Sequence, residues 1–146
     1  MRFDTKRGIA GLAIVGFALV GCGTNPAPTE SASSPAVAKD ARYGSVVELK
    51  DAAVLAGLPC PKFQISNQVA DAAQSATCSD AAVLSTFATD ADLQSALARF
   101  RSFTDLMTET GADSNSLLVG PNWTINAPEA KALQPVMGGV IDDPQN

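Results

Sequence analysis

The sequence predicts an α+β domain: a small sheet of about three strands with helices packed on one face and one disulfide bond. Within residues 43–146, apolar residues recur at helical spacing in some segments and alternate with polar residues in others. The same part of the chain contains Cys60 and Cys78. A domain of about 100 residues has a marginal core, so a crosslink between two cysteines would add useful stability.

Three segments have the pattern of helices. Near residues 46–56, Ser45 and Glu48 have the spacing of a capping box, in which each side chain accepts a hydrogen bond from the other residue's backbone N–H. A longer helix is predicted over residues 90–110, where an apolar stripe indicates core packing. A last helix, bent or shortened by Pro135, is expected in the C-terminal part.

Three strands are predicted from alternating or short apolar runs: 62–66, 81–88 and an interrupted run over 117–126. The second strand, the long helix and the third strand follow one another as in a βαβ unit. Residues 69–75 fit either a helical turn or a loop, and residues 140–146 are expected to form a loose acidic tail.

Composition and charge exclude several classes of site. The chain has no histidine, which removes Ser-His-Asp and Cys-His catalytic arrangements and every metal site that needs histidine. Its net charge is −5, and the folded part alone has five Lys and Arg against twelve Asp and Glu. This balance argues against nucleic acid as a partner and favours cationic protein or envelope partners.

Catalytic motifs are also missing from the sequence. The closest carboxylate pairs, Asp90 with Asp92 and Asp142 with Asp143, lie at a helix start and in the tail, where solvation is expected. No Gly-x-Ser-x-Gly motif, glycine-rich phosphate loop or calcium loop is present. We therefore expect no enzyme activity, no cofactor and no metal. The alternative is a small envelope enzyme that uses Asp or Glu residues.

Residues 1–21 have the organisation of a bacterial signal peptide. Arg2, Lys6 and Arg7 form a basic start, and residues 8–21 contain no charged side chain. The uncharged run is too short for a comfortable transmembrane helix, which needs about 20 apolar residues.

The run ends at Leu19-Val20-Gly21-Cys22, which resembles the lipobox of bacterial lipoprotein precursors. This resemblance implies that a diacylglycerol is attached to the sulfur of Cys22 and that the leader is cut just before this residue. The mature protein would then be lipid-anchored at the extracytoplasmic face of the bacterial cell membrane, since two acyl chains anchor stably. The alternative is a plain secretory signal in which Cys22 is incidental.

Residues 22–42 are expected to be a disordered tether after the lipidated cysteine. The segment is rich in Pro, Ser, Thr and Ala and cannot bury enough apolar surface to offset its chain entropy. Residues 43–146 would then form the globular domain. Within it, the run over 117–139 resembles small actinobacterial lipoproteins of unknown function, a resemblance that implies no activity.

Cys60 and Cys78 are the cysteines that remain after lipidation of Cys22. Two thiols in an exported domain predict one disulfide bond, worth about 3 kcal/mol for a loop of this length. A metal or redox pair is the alternative.

The Gly-Pro-Asn-Trp turn supplies two candidate binding residues, Asn122 and Trp123. An aromatic side chain at a loop edge is often a binding anchor. The alternative is that Trp123 is the main aromatic residue of the core.

These observations predict a membrane-anchored extracytoplasmic lipoprotein, whose domain is a partner-binding or envelope-accessory module. A small envelope enzyme and a phage-type exclusion lipoprotein remain the alternatives.

Overall fold

The computed structural model describes residues 36–111 and 114–143. The predicted signal peptide, the lipidation residue Cys22 and the first part of the tether lie outside these ranges. Within the described ranges, three helices and six strands follow one another along the chain. The helices are α1 (Val46–Leu55), α2 (Asp90–Glu109) and α3 (Ala130–Met137), and the strands are β1 (Gln64–Ile65), β2 (Gln74–Ser79), β3 (Ala82–Thr86), β4 (Leu117–Val119), β5 (Trp123–Asn126) and β6 (Val140–Asp142).

The strands form one sheet in the order β1-β2-β3-β5-β4-β6, and every neighbouring pair is antiparallel. Because β5 lies between β3 and β4, these two strands run parallel and α2 connects them. The predicted βαβ unit is therefore present in a split form. A second split unit, β5-α3-β6, interlocks with the first.

Helices cover both faces of the sheet, which corrects the expectation that all of them pack on one face. Leu118 packs with α1 and α3 in the larger core cluster, which also contains Trp123 and Ile125. Its neighbour Leu117 packs with α2 in a second, smaller cluster, because successive side chains of a strand point to opposite faces. The α+β class and the disulfide bond are confirmed.

The sheet has six strands rather than about three, and three segments account for the difference. Strand β2 has the sequence QSATCS, which contains no large apolar side chain and gave no strand signal. Strand β6 lies in the expected tail and pairs with β4 through Leu118 and Ile141. The interrupted run over 117–126 is two strands, since Gly120-Pro121-Asn122 forms the turn of a hairpin.

Two helices begin with a side-chain cap, and the first of these caps is the predicted Ser45. The hydroxyl of Ser45 accepts a hydrogen bond from the backbone N–H of Glu48 at 3.2 Å. The Glu48 carboxylate in turn accepts from the N–H of Gly44 rather than that of Ser45. Thr89 caps α2 in the same way through Asp92 N–H at 3.1 Å. Helix α3 contains Pro135 and is only eight residues long.

The predicted disulfide bond joins Cys60, in the loop after α1, to Cys78 in β2. Cys78 is fully buried, so the bond ties the first helix and its loop to the interior of the sheet. Among the described residues, no helix has the length and apolar character needed to cross a bilayer.

Candidate ligand-binding cavity beneath helix α2

Trp123 is a core residue and not an exposed anchor. Its side chain has no exposed surface, and its Nε1 donates a hydrogen bond to the carbonyl oxygen of Ala41 at 2.8 Å. Asn122 accepts from the N–H of Tyr43 at 3.0 Å and donates to the carbonyl oxygen of the same residue at 2.8 Å. Both candidate binding residues therefore hold the segment before α1 against the sheet, and the core alternative describes Trp123.

A partly open cavity of about 160 Å³ lies between α2 and the sheet; we call it the α2 cavity. Helix α2 forms its roof with Ala96, Leu97 and Phe100. The long apolar stripe predicted for this helix is thus only partly used for close packing. Phe103, one turn beyond Phe100, keeps 57% of its surface exposed.

The floor of the α2 cavity is a regular array of cross-strand neighbours. Ser85 of β3 lies directly opposite Thr124 of β5. In the next row, Asn126 of β5 has Val83 on one side and Leu117 on the other. All five side chains line the cavity because they occupy alternating positions on the same face.

Three polar side chains of this floor lack partners. Ser85 and Thr124 keep only 1% and 7% of their surface exposed. In the described part of the chain, no side-chain hydrogen bond involves either hydroxyl or the Asn126 carboxamide, whereas the polar atoms that are both wholly buried and unpaired there are Ser66 Oγ and Ser114 Oγ, outside the cavity. The three polar groups therefore keep some accessible surface towards the cavity, where a ligand or water can form hydrogen bonds with them.

An open groove extends the α2 cavity towards the C-terminal half of the helix; we call it the outer groove. It shares Val69, Ala96 and Phe100 with the cavity and adds the exposed ring of Phe103. The cavity therefore opens onto a surface that is also mainly apolar, and a ligand longer than the cavity has a place for its remaining atoms.

An exposed ion pair connects the loop beside the cavity to α2. Asp71 has a left-handed φ of 66° and accepts hydrogen bonds from Ser95 Oγ at 2.8 Å and from Arg99 Nε at 3.0 Å. The Ser95 hydrogen bond, with a smaller contribution from the Arg99 charge, lowers the pKa of Asp71 below its ordinary value. On the other side of the helix, Arg101 pairs with Asp142 at 2.9 Å.

The carboxylate pairs noted in the sequence lie apart from the cavity. Asp90 pairs with Arg42, whereas Asp92 accepts from the Thr89 hydroxyl. None of the ionisable side chains in the described ranges lines the α2 cavity, and none of their acidic or cysteine side chains cluster in the groups of three that a metal would need. The cavity thus offers hydrogen bonds and apolar contact.

The three polar floor residues were not identified from the sequence. Alternation of polar and apolar residues in two strands was the available signal, but only the strand pairing shows that Ser85, Thr124 and Asn126 share one face. No family model, curated protein or solved structure matches this chain. The function proposed for it rests on its own residues.

Proposed function

We propose that this chain is the precursor of a lipid-anchored extracytoplasmic lipoprotein, whose folded domain is a binding module that uses the α2 cavity. The Leu19-Val20-Gly21-Cys22 sequence supports the anchor. The hydroxyls of Ser85 and Thr124, two largely buried residues that line the cavity, carry the binding role, because ligand sites combine apolar walls with a few convergent polar groups.

The disulfide between Cys60 and Cys78 supports export. Such bonds persist in oxidising compartments outside the cytoplasm and are rare inside it. The described structure begins at residue 36, and Asp40 is held to the folded domain, since its backbone N–H donates to the Met137 carbonyl oxygen at 2.9 Å. A tether between Cys22 and this point would span about 25 Å as a flexible coil and about 60 Å as polyproline II. Either length holds the domain clear of the membrane headgroups.

The anchor is tested by producing the full chain in a bacterial host that is fed radiolabelled palmitate. We expect the wild-type protein to carry label and to sediment with membranes, and Cys22→Ser to lose both properties. The matched control is the double variant Cys60→Ser/Cys78→Ser, which keeps the label because its acceptor cysteine is intact. Equal labelling and retention of Cys22→Ser would refute the anchor.

A further inference from the structure

We propose that the α2 cavity selects an uncharged amphipathic ligand: an apolar body about the size of one six-membered ring, with a hydroxyl or amide group that pairs with the cavity floor. This inference rests on the binding role proposed above and adds the chemistry of the ligand.

The volume of the cavity sets the size of the apolar body. Cavities of about 150 Å³ in protein cores hold one benzene molecule. The α2 cavity has about 160 Å³, so one ring or a short chain of similar volume fills it. Larger ligands would extend past Phe100 into the outer groove.

The polar floor demands a hydrogen-bonding group on the ligand. Ser85 and Thr124 hydroxyls both donate and accept, and the Asn126 carboxamide has two donors and an acceptor. All three side chains are without partners among the residues that the structure describes, and two are more than nine-tenths buried. A hydrocarbon would leave these groups unpaired, whereas a hydroxyl or amide satisfies at least one of them.

The absence of charge around the cavity selects against ions. None of the described residues that line it is ionisable. Arg99, the cation that lines the outer groove, is already paired with Asp71. A buried anion or cation would lose its hydration without gaining a counterion, which is costly.

The test uses the full chain in detergent micelles, with ¹³C-labelled Ala, Val and Leu methyl groups observed by NMR. Phenol, toluene and benzoate are the probes. We expect phenol to shift the methyl signals of Val69, Ala96 and Leu117 at the cavity, while Ala130 and Leu133 on the opposite face of the sheet stay unchanged. Benzoate should cause no shift at the cavity.

For each probe, the affinity of a variant is compared with that of the wild type. The share of the probe that dissolves in the micelles is then the same in both measurements and does not affect the ratio. Ser85→Ala/Thr124→Val should weaken phenol binding about fivefold and leave toluene binding unchanged or tighter. The matched control is Thr86→Val, a similar change in β3 at a position that faces the α1 and α3 side. It should bind both probes like the wild type. Ala96→Phe fills the cavity and should abolish both shifts.

The outcomes separate the ligand chemistry from the binding role. If phenol binds equally well to the wild type and to Ser85→Ala/Thr124→Val, or if benzoate binds as tightly as phenol, the proposed chemistry is wrong while the binding role stands. If no probe shifts the three cavity methyl groups, both the chemistry and the binding role are overturned.

Discussion

Gly120, in the turn between β4 and β5, lies against the indole of Trp123 so closely that no side chain fits. A Cβ atom at this position would lie 2.0 Å from Trp123 Cε2 and 2.3 Å from Cζ2. The indole is fully buried and hydrogen-bonded to Ala41, so it cannot move aside cheaply.

We therefore expect Gly120→Ala to lower the free energy of unfolding by about 3 kcal/mol, at the upper end of the usual cost of overpacking. Chemical denaturation of the wild type and of Gly120→Ala measures this difference in the free energy of unfolding. Gly44→Ala is the control, because a Cβ there meets only the Glu48 carboxylate at 3.5 Å and should have little effect. Similar stability of the two variants would contradict the close contact.

Ser85 and Thr124 supply polar groups that the folded chain itself does not use. Replacing both with apolar residues of similar shape removes unpaired polar groups from a buried site and breaks no hydrogen bond within the described structure. Sites kept for binding often reduce stability in this way.

We expect Ser85→Ala/Thr124→Val to raise the free energy of unfolding by about 1 kcal/mol. Thr104→Val is the contrasting variant, since the buried hydroxyl of Thr104 donates to the Arg101 carbonyl oxygen at 2.9 Å. It should not gain stability. Denaturant midpoints measure both, and a loss of stability in the double variant would mean that the floor hydroxyls stabilise the fold.

The sequence predicted some of these residues and missed others for physical reasons. The Cys60–Cys78 bond followed from counting thiols in a chain with an export signal. The turn around Trp123 was recognised, but whether the indole faces the core depends on the strand's position in the sheet. Ser85 and Thr124 become neighbours only through the pairing of two strands that lie about 40 residues apart in the sequence.

Besides the Arg42–Asp90 pair at its first residue, helix α2 forms an ion pair with the rest of the domain on each side. Arg99 pairs with Asp71 in the loop before β2, and Arg101 pairs with Asp142 in β6. The Asp71 contact lies beside the mouth of the α2 cavity, so it holds the roof of the cavity in place.

The stability that the Asp71 carboxylate contributes should decrease as the pH falls. The pKa of Asp71 in the folded state is below its ordinary value of 3.8, so the unfolded chain binds this proton more readily. The contribution is therefore present at neutral pH and is lost as the pH falls below 3.8 and through the lowered pKa.

We expect the difference in unfolding free energy between the wild type and Asp71→Asn to shrink between pH 7 and about pH 2.5. Asparagine tolerates the left-handed backbone at this position. In a Ser95→Ala background the change with pH should be smaller, because the main cause of the pKa shift is gone. A difference that stays constant with pH would contradict the role of the carboxylate.

The sequence predicts a helix or strand correctly where the residues of that element themselves form a cap or a regular apolar repeat. Helices α1 and α2 have caps and apolar periodicity that act locally. Strand β2 consists of small and polar residues and β6 is only three residues long, so neither has a strong pattern of its own; each pairs with a neighbouring strand, β2 with β3 and β6 with β4. Such strands are determined by tertiary pairing, which a local pattern does not contain.

Along the whole chain, an acidic domain follows a basic, apolar N-terminal segment and a stretch rich in Pro, Ser, Thr and Ala, for which we propose the roles of leader and tether. The domain has seven more acidic than basic side chains, so an anionic membrane surface repels it while an acyl anchor would hold it near that surface. The proposed tether would resolve this conflict by keeping the acidic domain at a distance from the membrane surface. Cationic envelope components would then be attracted to the domain rather than to the membrane beneath it.

We propose that the mature chain begins at a lipidated Cys22 and carries a disulfide-bonded binding domain, and the intact mass of the protein extracted from membranes is the most direct test of this proposal. We expect a chain that starts at Cys22, carries at least a diacylglyceryl group there, and is two hydrogens lighter than its reduced form because of the Cys60–Cys78 bond. A chain that keeps residues 1–21, or one that is cut elsewhere and carries no lipid, would contradict it.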